Sequence, residues 1–223
     1  MKPTFFIPIA LIAIGGAGLA SLSNIDSADR FGWGENIGWT NWQHDAPMAG
    51  DGVAVTATHL AGFVWAENVG WMNLGNGGGP YANDPADSAT FGVNIDFGTG
   101  DMFGKAWGEN VGWINFDTRA TQGPHGQQAR FDICENRFRG YAWGENIGWL
   151  NLDDALHAIF LSPDCSFGDV ACDGVISLLD YTRFQSAVTG PKVIADCPIF
   201  DSDGDSDVDM IDFGAFQAAF TGP

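Results

Sequence analysis

The sequence predicts a mainly β repeat domain of four three-stranded units, closed into a ring, a small propeller or a barrel, followed by a small α-helical module. Three observations carry this. The stretch "AWGENVGWINF", Ala106 to Phe116, recurs as "FGWGENIGWTNW" from Phe31, "FVWAENVGWMNL" from Phe63 and "YAWGENIGWLNL" from Tyr141, and all 9 tryptophans lie inside these copies. Alternating strand-like runs flank each turn. After "LSPDC" tryptophan disappears, aspartate becomes dense, and helical spacing appears in "LLDYTRFQSAV" and "MIDFGAFQAAF".

In chain order, the opening "MKPTFFIPIALIAIGGAGLASLS" has a lysine, an apolar run to about Ala20, and small residues suited to cleavage near Ala20 or Ser23. Residues 1–23 therefore read as an export signal. The run is short for a membrane anchor, and no other segment is apolar enough to span a bilayer. The protein is expected to be secreted or held at the cell surface, with a β domain over residues 24–162 and a second module over residues 163–223.

Aligned on their first tryptophans, Trp33, Trp65, Trp107 and Trp143, the copies have the unequal spacing of repeats built from one supersecondary unit each. The longest interval holds "LGNGGGPYANDPADSATFG", a surface loop by composition. Before three copies stands a further strand: "GVAVTA" from Gly52, "FGVNIDF" from Phe91 and "ARFDI" from Ala129. The first copy lacks one. "HAIFL", His157 to Leu161, follows the last copy and is expected to supply it, closing the repeats and removing the sheet edge.

Within each copy, alternation puts Trp113 and Asn115 on one face and Ile114 and Phe116 on the other, which Met72/Leu74 and Leu150/Leu152 repeat as a core face. A three-residue loop centred on Asn sets the two tryptophans opposite each other; a two-residue loop sets Trp107 opposite Gly112. In either case Asn tolerates the left-handed backbone of such turns, and Glu can accept N–H bonds at the bend. The tryptophans are expected to be mostly buried, as part of a hairpin recipe. The alternative is a lectin-like module, in which exposed Trp33, Trp65, Trp107 and Trp143, with Asn and Glu, bind a glycan.

Catalysis is not expected. Glycoside hydrolysis needs two carboxylates in different environments, whereas Glu35, Glu67, Glu109 and Glu145 occupy equivalent turns. A glycoside hydrolase component is the weakest alternative, and no other nucleophile or metal-hydrolase signature appears. With 9 basic against 28 acidic residues, and no Lys or Arg between Arg30 and Lys105 or after Lys192, nucleic acid is excluded as a partner class.

The aspartates are ordered. "DSDGDSDVDMID" sets Asp201, Asp203, Asp205, Asp209 and Asp212 at positions 1, 3, 5, 9 and 12 of a loop, with Asp207 at position 7, where a backbone carbonyl binds. Hard Ca2+ takes such an oxygen cage. "DVACDGVISLLD" repeats the plan with Asp169, Asp173, Val175 at position 7, Ser177 and Asp180, but has Ala171 at position 3. Each loop leads into a segment ending in Gly-Pro, a natural helix stop.

Two EF-hand-like loops, each followed by one helix and preceded by none, resemble a type I dockerin over about residues 165–223. The resemblance implies calcium-dependent docking to a cohesin-like protein or cell-surface scaffold, in a polysaccharide-related setting. It places the partner contacts at Leu178, Leu179, Met210 and Ile211, where the family often carries polar residues. Ser206 stands where Gly is usual at position 6. Cys165 and Cys197 each precede their loop by four residues, and the near two-fold relation of paired loops predicts a disulfide between them, leaving Cys134 to join Cys172.

Overall fold

The computed structural model describes residues 23–43, 52–120, 127–154, 157–162, 166–170, 174–195 and 197–222. The expected export signal lies outside them. Among the described residues no helix is long and apolar enough to cross a membrane. The strands are β1 (Ile25–Gly34), β2 (Gly38–Asn41), β3 (Gly52–Val55), β4 (Leu60–Ala66), β5 (Gly70–Gly75), β6 (Val93–Ile95), β7 (Met102–Gly108), β8 (Gly112–Asn115), β9 (Arg130–Asp132), β10 (Arg137–Arg139), β11 (Tyr141–Gly144), β12 (Gly148–Asn151) and β13 (Ile159–Leu161). Two helices follow, α1 (Leu178–Ala187) and α2 (Met210–Ala219).

Eight of the strands close an antiparallel barrel in the order β1, β2, β4, β5, β7, β8, β11, β12, and β12 returns to β1 with Trp33 opposite Asn151. Each motif copy contributes one hairpin. Of the ring, propeller and barrel expected, the barrel forms, because eight short strands pair directly without separate blades.

The other strands line the first halves of longer ones. β3 pairs with β4, β6 with β7, β9 with β10, and β13 with the start of β1, where Leu161 faces Ile25. "HAIFL" thus completes the first unit, while β12 makes the closure itself. Where the chain turns from outer pairing into the barrel, Gly62, Gly104 and Gly140 have φ of +94°, +91° and +75°. A Cβ on Gly104 would lie 2.2 Å from the Gly92 carbonyl oxygen, and one on Gly140 would lie 1.9 Å from that of Gln128. Only glycine fits both the dihedral and the gap.

Inside the barrel, Ala106 faces Ile114 and Ala142 faces Leu150, while Gly32 lies opposite Thr40 and Val64 opposite Met72. The second strands bury their larger side chains, Met72, Leu74, Ile114, Phe116, Leu150 and Leu152. Trp42, the ninth tryptophan, fills the same role, buried against Phe138 at 5.1 Å with its indole N–H on Thr40 Oγ1. Ile37, Val111 and Ile147, from three hairpin tips, fold inward and plug one end.

The tips form a cycle. The Asn36 amide donates to the Ile147 carbonyl, Asn68 to Ile37, Asn110 to Val69 and Asn146 to Val111, at 2.9–3.1 Å. The expected reason for Asn is therefore corrected. The left-handed residues of the turns are Gly38, Gly70, Gly112 and Gly148, while Asn joins each tip to its neighbour. Among the described residues the tip glutamates accept no backbone bond.

The helices attach beside the outer strands. The Arg183 guanidinium lies over the Phe97 ring at 5.3 Å, and Cys197 is bonded to Cys134 in the β9–β10 turn. This overturns the Cys165–Cys197 assignment, and the Cys134–Cys172 pairing falls with it. Equivalent positions in two repeats need not be close, and Cys197 faces the barrel side. Cys165 and Cys172 lie outside the described residues.

Asn110→Ala should cost about 1 kcal/mol, lowering the melting temperature by about 2–4 °C in calorimetry, because it leaves the Val69 carbonyl without its amide. Non-reducing peptide mapping should join the Cys134 and Cys197 peptides, and replacing both by Ala should cost about 2–4 kcal/mol, since the bridge closes a separation of 63 residues.

Candidate functional site

The second aspartate loop is built on its first and last carboxylates. Asp201 accepts from the Gly204 and Ser206 N–H groups at 2.7 and 2.9 Å, which bends the chain around it. Asp212 reaches back, with Oδ1 accepting from Ser202 N–H and Oγ and Oδ2 from Asp209 N–H. The first loop repeats this. Asp169 accepts from Gly174 N–H, and Asp180 takes Val170 N–H on one oxygen and Ser177 N–H and Oγ on the other. Asp173 lies outside the described residues.

These bonds also start the helices. Ser177 with Asp180, and Asp209 with Asp212, form capping boxes at the N-termini of α1 and α2, where carboxylates also meet the positive end of the helix dipole. At position 6, Gly174 has φ +81° and Ser206 φ +74°. Ser206 thus adopts the conformation that glycine takes freely, at a cost.

Each loop is closed by the chain that leaves the other loop's helix. Thr221 donates its N–H to the Ile176 carbonyl at 2.9 Å, and its hydroxyl accepts from Ile176 N–H. Thr189 does the same with Val208. The repeated "TGP" is thus more than a helix stop. Its threonine cross-links the two halves, a role signalled only by the recurrence of the triplet. Between the helices, Phe184 packs on Phe216 at 5.0 Å and Tyr181 on Phe213 at 6.0 Å.

The second loop suits a hard cation. Oxygens of Asp201, Asp203 and Asp205 lie within 4.8 Å of one another, as do those of Asp207, Asp209 and Asp212. Asp207 is 3% exposed, and its Oδ1 is buried without a hydrogen-bond partner among the described residues. Desolvation, reinforced by the charges of Asp205, Asp212 and Asp201, pushes the Asp203 carboxyl up. Burial pushes Asp212 the same way, but donors on Asp209 and Ser202 outweigh it and hold that carboxyl below its ordinary value. An all-oxygen donor set with no basic side chain within the loop could hold a divalent ion. The backbone of Val175 occupies the position of the first loop that corresponds to Asp207.

Beside the loops, the first helical turns present apolar side chains. Leu178 is 62% exposed, Met210 75% and Ile211 60%, with Leu179 partly covered. They flank two grooves related by the internal repeat. One, of about 310 Å³, is lined by Leu178, Tyr181, Phe213, Phe216, Gln217 and Phe220. The other, of about 380 Å³, includes Tyr181, Phe184, Gln185, Val188, Met210 and Phe213.

The barrel carries the second candidate. The expectation that the tryptophans are mostly buried is overturned, because eight stand on the outer face and only Trp42 is buried. The loops are the three-residue kind, so Trp33 faces Trp39, Trp65 Trp71, Trp107 Trp113 and Trp143 Trp149, with ring centroids 4.8–4.9 Å apart. Burial failed as an expectation because the barrel is too narrow for eight indoles, while aliphatic side chains fill it. The neighbouring asparagines Asn41, Asn73, Asn115 and Asn151 each accept from the N–H two residues on, ending their strands.

Ser206→Gly should stabilise the cation-free loop by about 1 kcal/mol, seen as a higher melting temperature in chelator, by removing the cost of a side chain in the left-handed region. No family model, curated protein or solved structure matches the chain.

Proposed function

We propose that the chain is an exported, non-catalytic attachment protein. Its paired loops bind Ca2+ and hold a dockerin-like helix pair in shape for a protein partner, and the barrel is the unit so attached. The observation that carries this reading is the two-fold pairing of the loops. First and last carboxylates fold each loop, threonines cross-link the loops, and apolar first turns stand exposed on both helices. Leu178, Leu179, Met210 and Ile211 are the contact residues, and the partner is a cohesin-like protein or cell-surface scaffold in a polysaccharide-related setting.

The carboxylates account for the dependence on metal. Six aspartates between positions 201 and 212, with no basic residue in the loop, repel one another. Bound Ca2+ would supply the opposing charge. Asp201, Asp203, Asp205, Asp209 and Asp212, with the Asp207 backbone, would hold it in the second loop. Asp169, Asp173, Ser177, Asp180 and the Val175 carbonyl would do so in the first, more weakly, because Ala171 offers no side-chain oxygen.

The test uses the whole exported chain, because Cys134–Cys197 ties the helices to the barrel. Calcium at a hundredfold excess over Kd should stabilise the helical region by about 2.7 kcal/mol against chelator in differential scanning calorimetry. Asp203→Asn with Asp205→Asn, which spares the capping carboxylates, should remove most of that response and leave the barrel transition unchanged. Identical melting in chelator and in millimolar calcium would overturn the reading.

A further inference from the structure

We propose that the cleft between the second and third hairpins of the barrel binds a sugar ring of a neutral glycan. The cleft has a volume of about 330 Å³ and is lined by Phe63, Trp71, Asn73, Trp107, Glu109 and Asn110. Register builds it. β5 pairs with β7 so that Asn73 lies opposite Trp107, which sets an indole of one hairpin beside the strand end of the previous one. The Asn110 tip amide reaches back to the Val69 carbonyl at 2.9 Å and fixes the rim.

The polar groups of the cleft are half used. Asn73 spends its Oδ1 on the Gly75 N–H, and Asn110 its amide on Val69, so Asn73 keeps an amide donor and Asn110 an acceptor oxygen. The Glu109 carboxylate is exposed and has no hydrogen bond or ion pair among the described residues. Trp107 is 37% exposed. The cleft therefore offers aromatic surface flanked by one donor and several acceptors.

That combination selects the ligand. A purely apolar ligand would strand the amide and carboxylate away from water, a cost each time. A polyanion is opposed by Glu109 and by the net charge of −19. A cation would suit the indoles and Glu109 but would face the Asn73 amide, which can only donate. A sugar ring meets all three demands, with C–H faces for the indoles and hydroxyls that both donate and accept.

Two of the other seams carry further contacts. Where Phe63 covers Trp71 at 6.2 Å, Lys105 lies over Trp113 at 5.9 Å in the third copy. In the first copy His157 stands 4.4 Å from Trp39. Asn115 also spends its amide, on the Asp117 carbonyl. In the second–third cleft the partly exposed Trp107 stands beside the Asn73 amide and the Glu109 carboxylate.

This inference is independent of calcium docking, and one experiment separates the two. The full exported chain is titrated by isothermal calorimetry with neutral hexasaccharides of β-1,4-linked glucose, xylose, mannose and N-acetylglucosamine and of α-1,4-linked glucose, and with choline and hexalysine, each in calcium and in chelator. At least one neutral hexasaccharide should bind, equally in both buffers. Trp107→Ala should weaken it about tenfold or more. Glu109→Gln, an exposed change that leaves the fold intact, should weaken it several-fold. Binding by choline or hexalysine alone, no binding by any hexasaccharide, or unchanged binding in both variants overturns the proposal.

Discussion

Each hairpin tip hangs on its neighbour by one asparagine amide, and the fourth tip's carbonyl receives the amide of the first. This cyclic constraint organises the rest of the β structure. No unit has a free edge within the barrel, so the liability of an exposed strand is met by the other units. The tip residues Ile37, Val111 and Ile147 can plug the barrel end because the tips are held together above it. Glycine at positions 38, 70, 112 and 148 takes the left-handed turn, which frees Asn to face sideways rather than serve its own loop.

The same constraint sorts the aromatics. A barrel of eight short strands encloses a narrow space, filled largely by the aliphatic side chains of its hairpins. Eight indoles cannot enter it. They pair on the outside, three pairs edge to face and Trp143–Trp149 tilted, where each pair braces its hairpin and the seams between hairpins become clefts. A structural role and an exposed aromatic surface are therefore compatible here. One indole of a pair can support the strand crossing while its partner's face stays open, as at Trp107.

The loop–helix region follows a different economy. Its core is a handful of aromatic rings, with Phe184, Phe200 and Phe216 fully covered. Carboxylates act as the framework, folding the loops, capping the helices and leaving the excess negative charge that motivates the calcium proposal. The Cys134–Cys197 bridge and the Arg183–Phe97 contact set this weak core against the larger one of the barrel.

Local patterns were legible in the sequence. The four copies, their strand–turn–strand grammar, the core face of Ile114 and Phe116, the returning strand at residues 157–161 and the loop–helix repeat all follow from periodicity and turn chemistry, which act over a few residues. What depends on distance between chain segments was not legible. Cys197 finds Cys134 because the β9–β10 turn lies beside the helices, a neighbour that no local symmetry argument can name. The tryptophans face outward because the strand number fixes the barrel's bore, and hydrophobicity alone cannot tell a filled interior from one too small for the ring. The tip asparagines bond to carbonyls 31 to 111 residues away, and the cleft at Trp107 exists only because β5 and β7 pair in one register. Sequence determined the words of the repeat; tertiary closure decided which side of each word faces water.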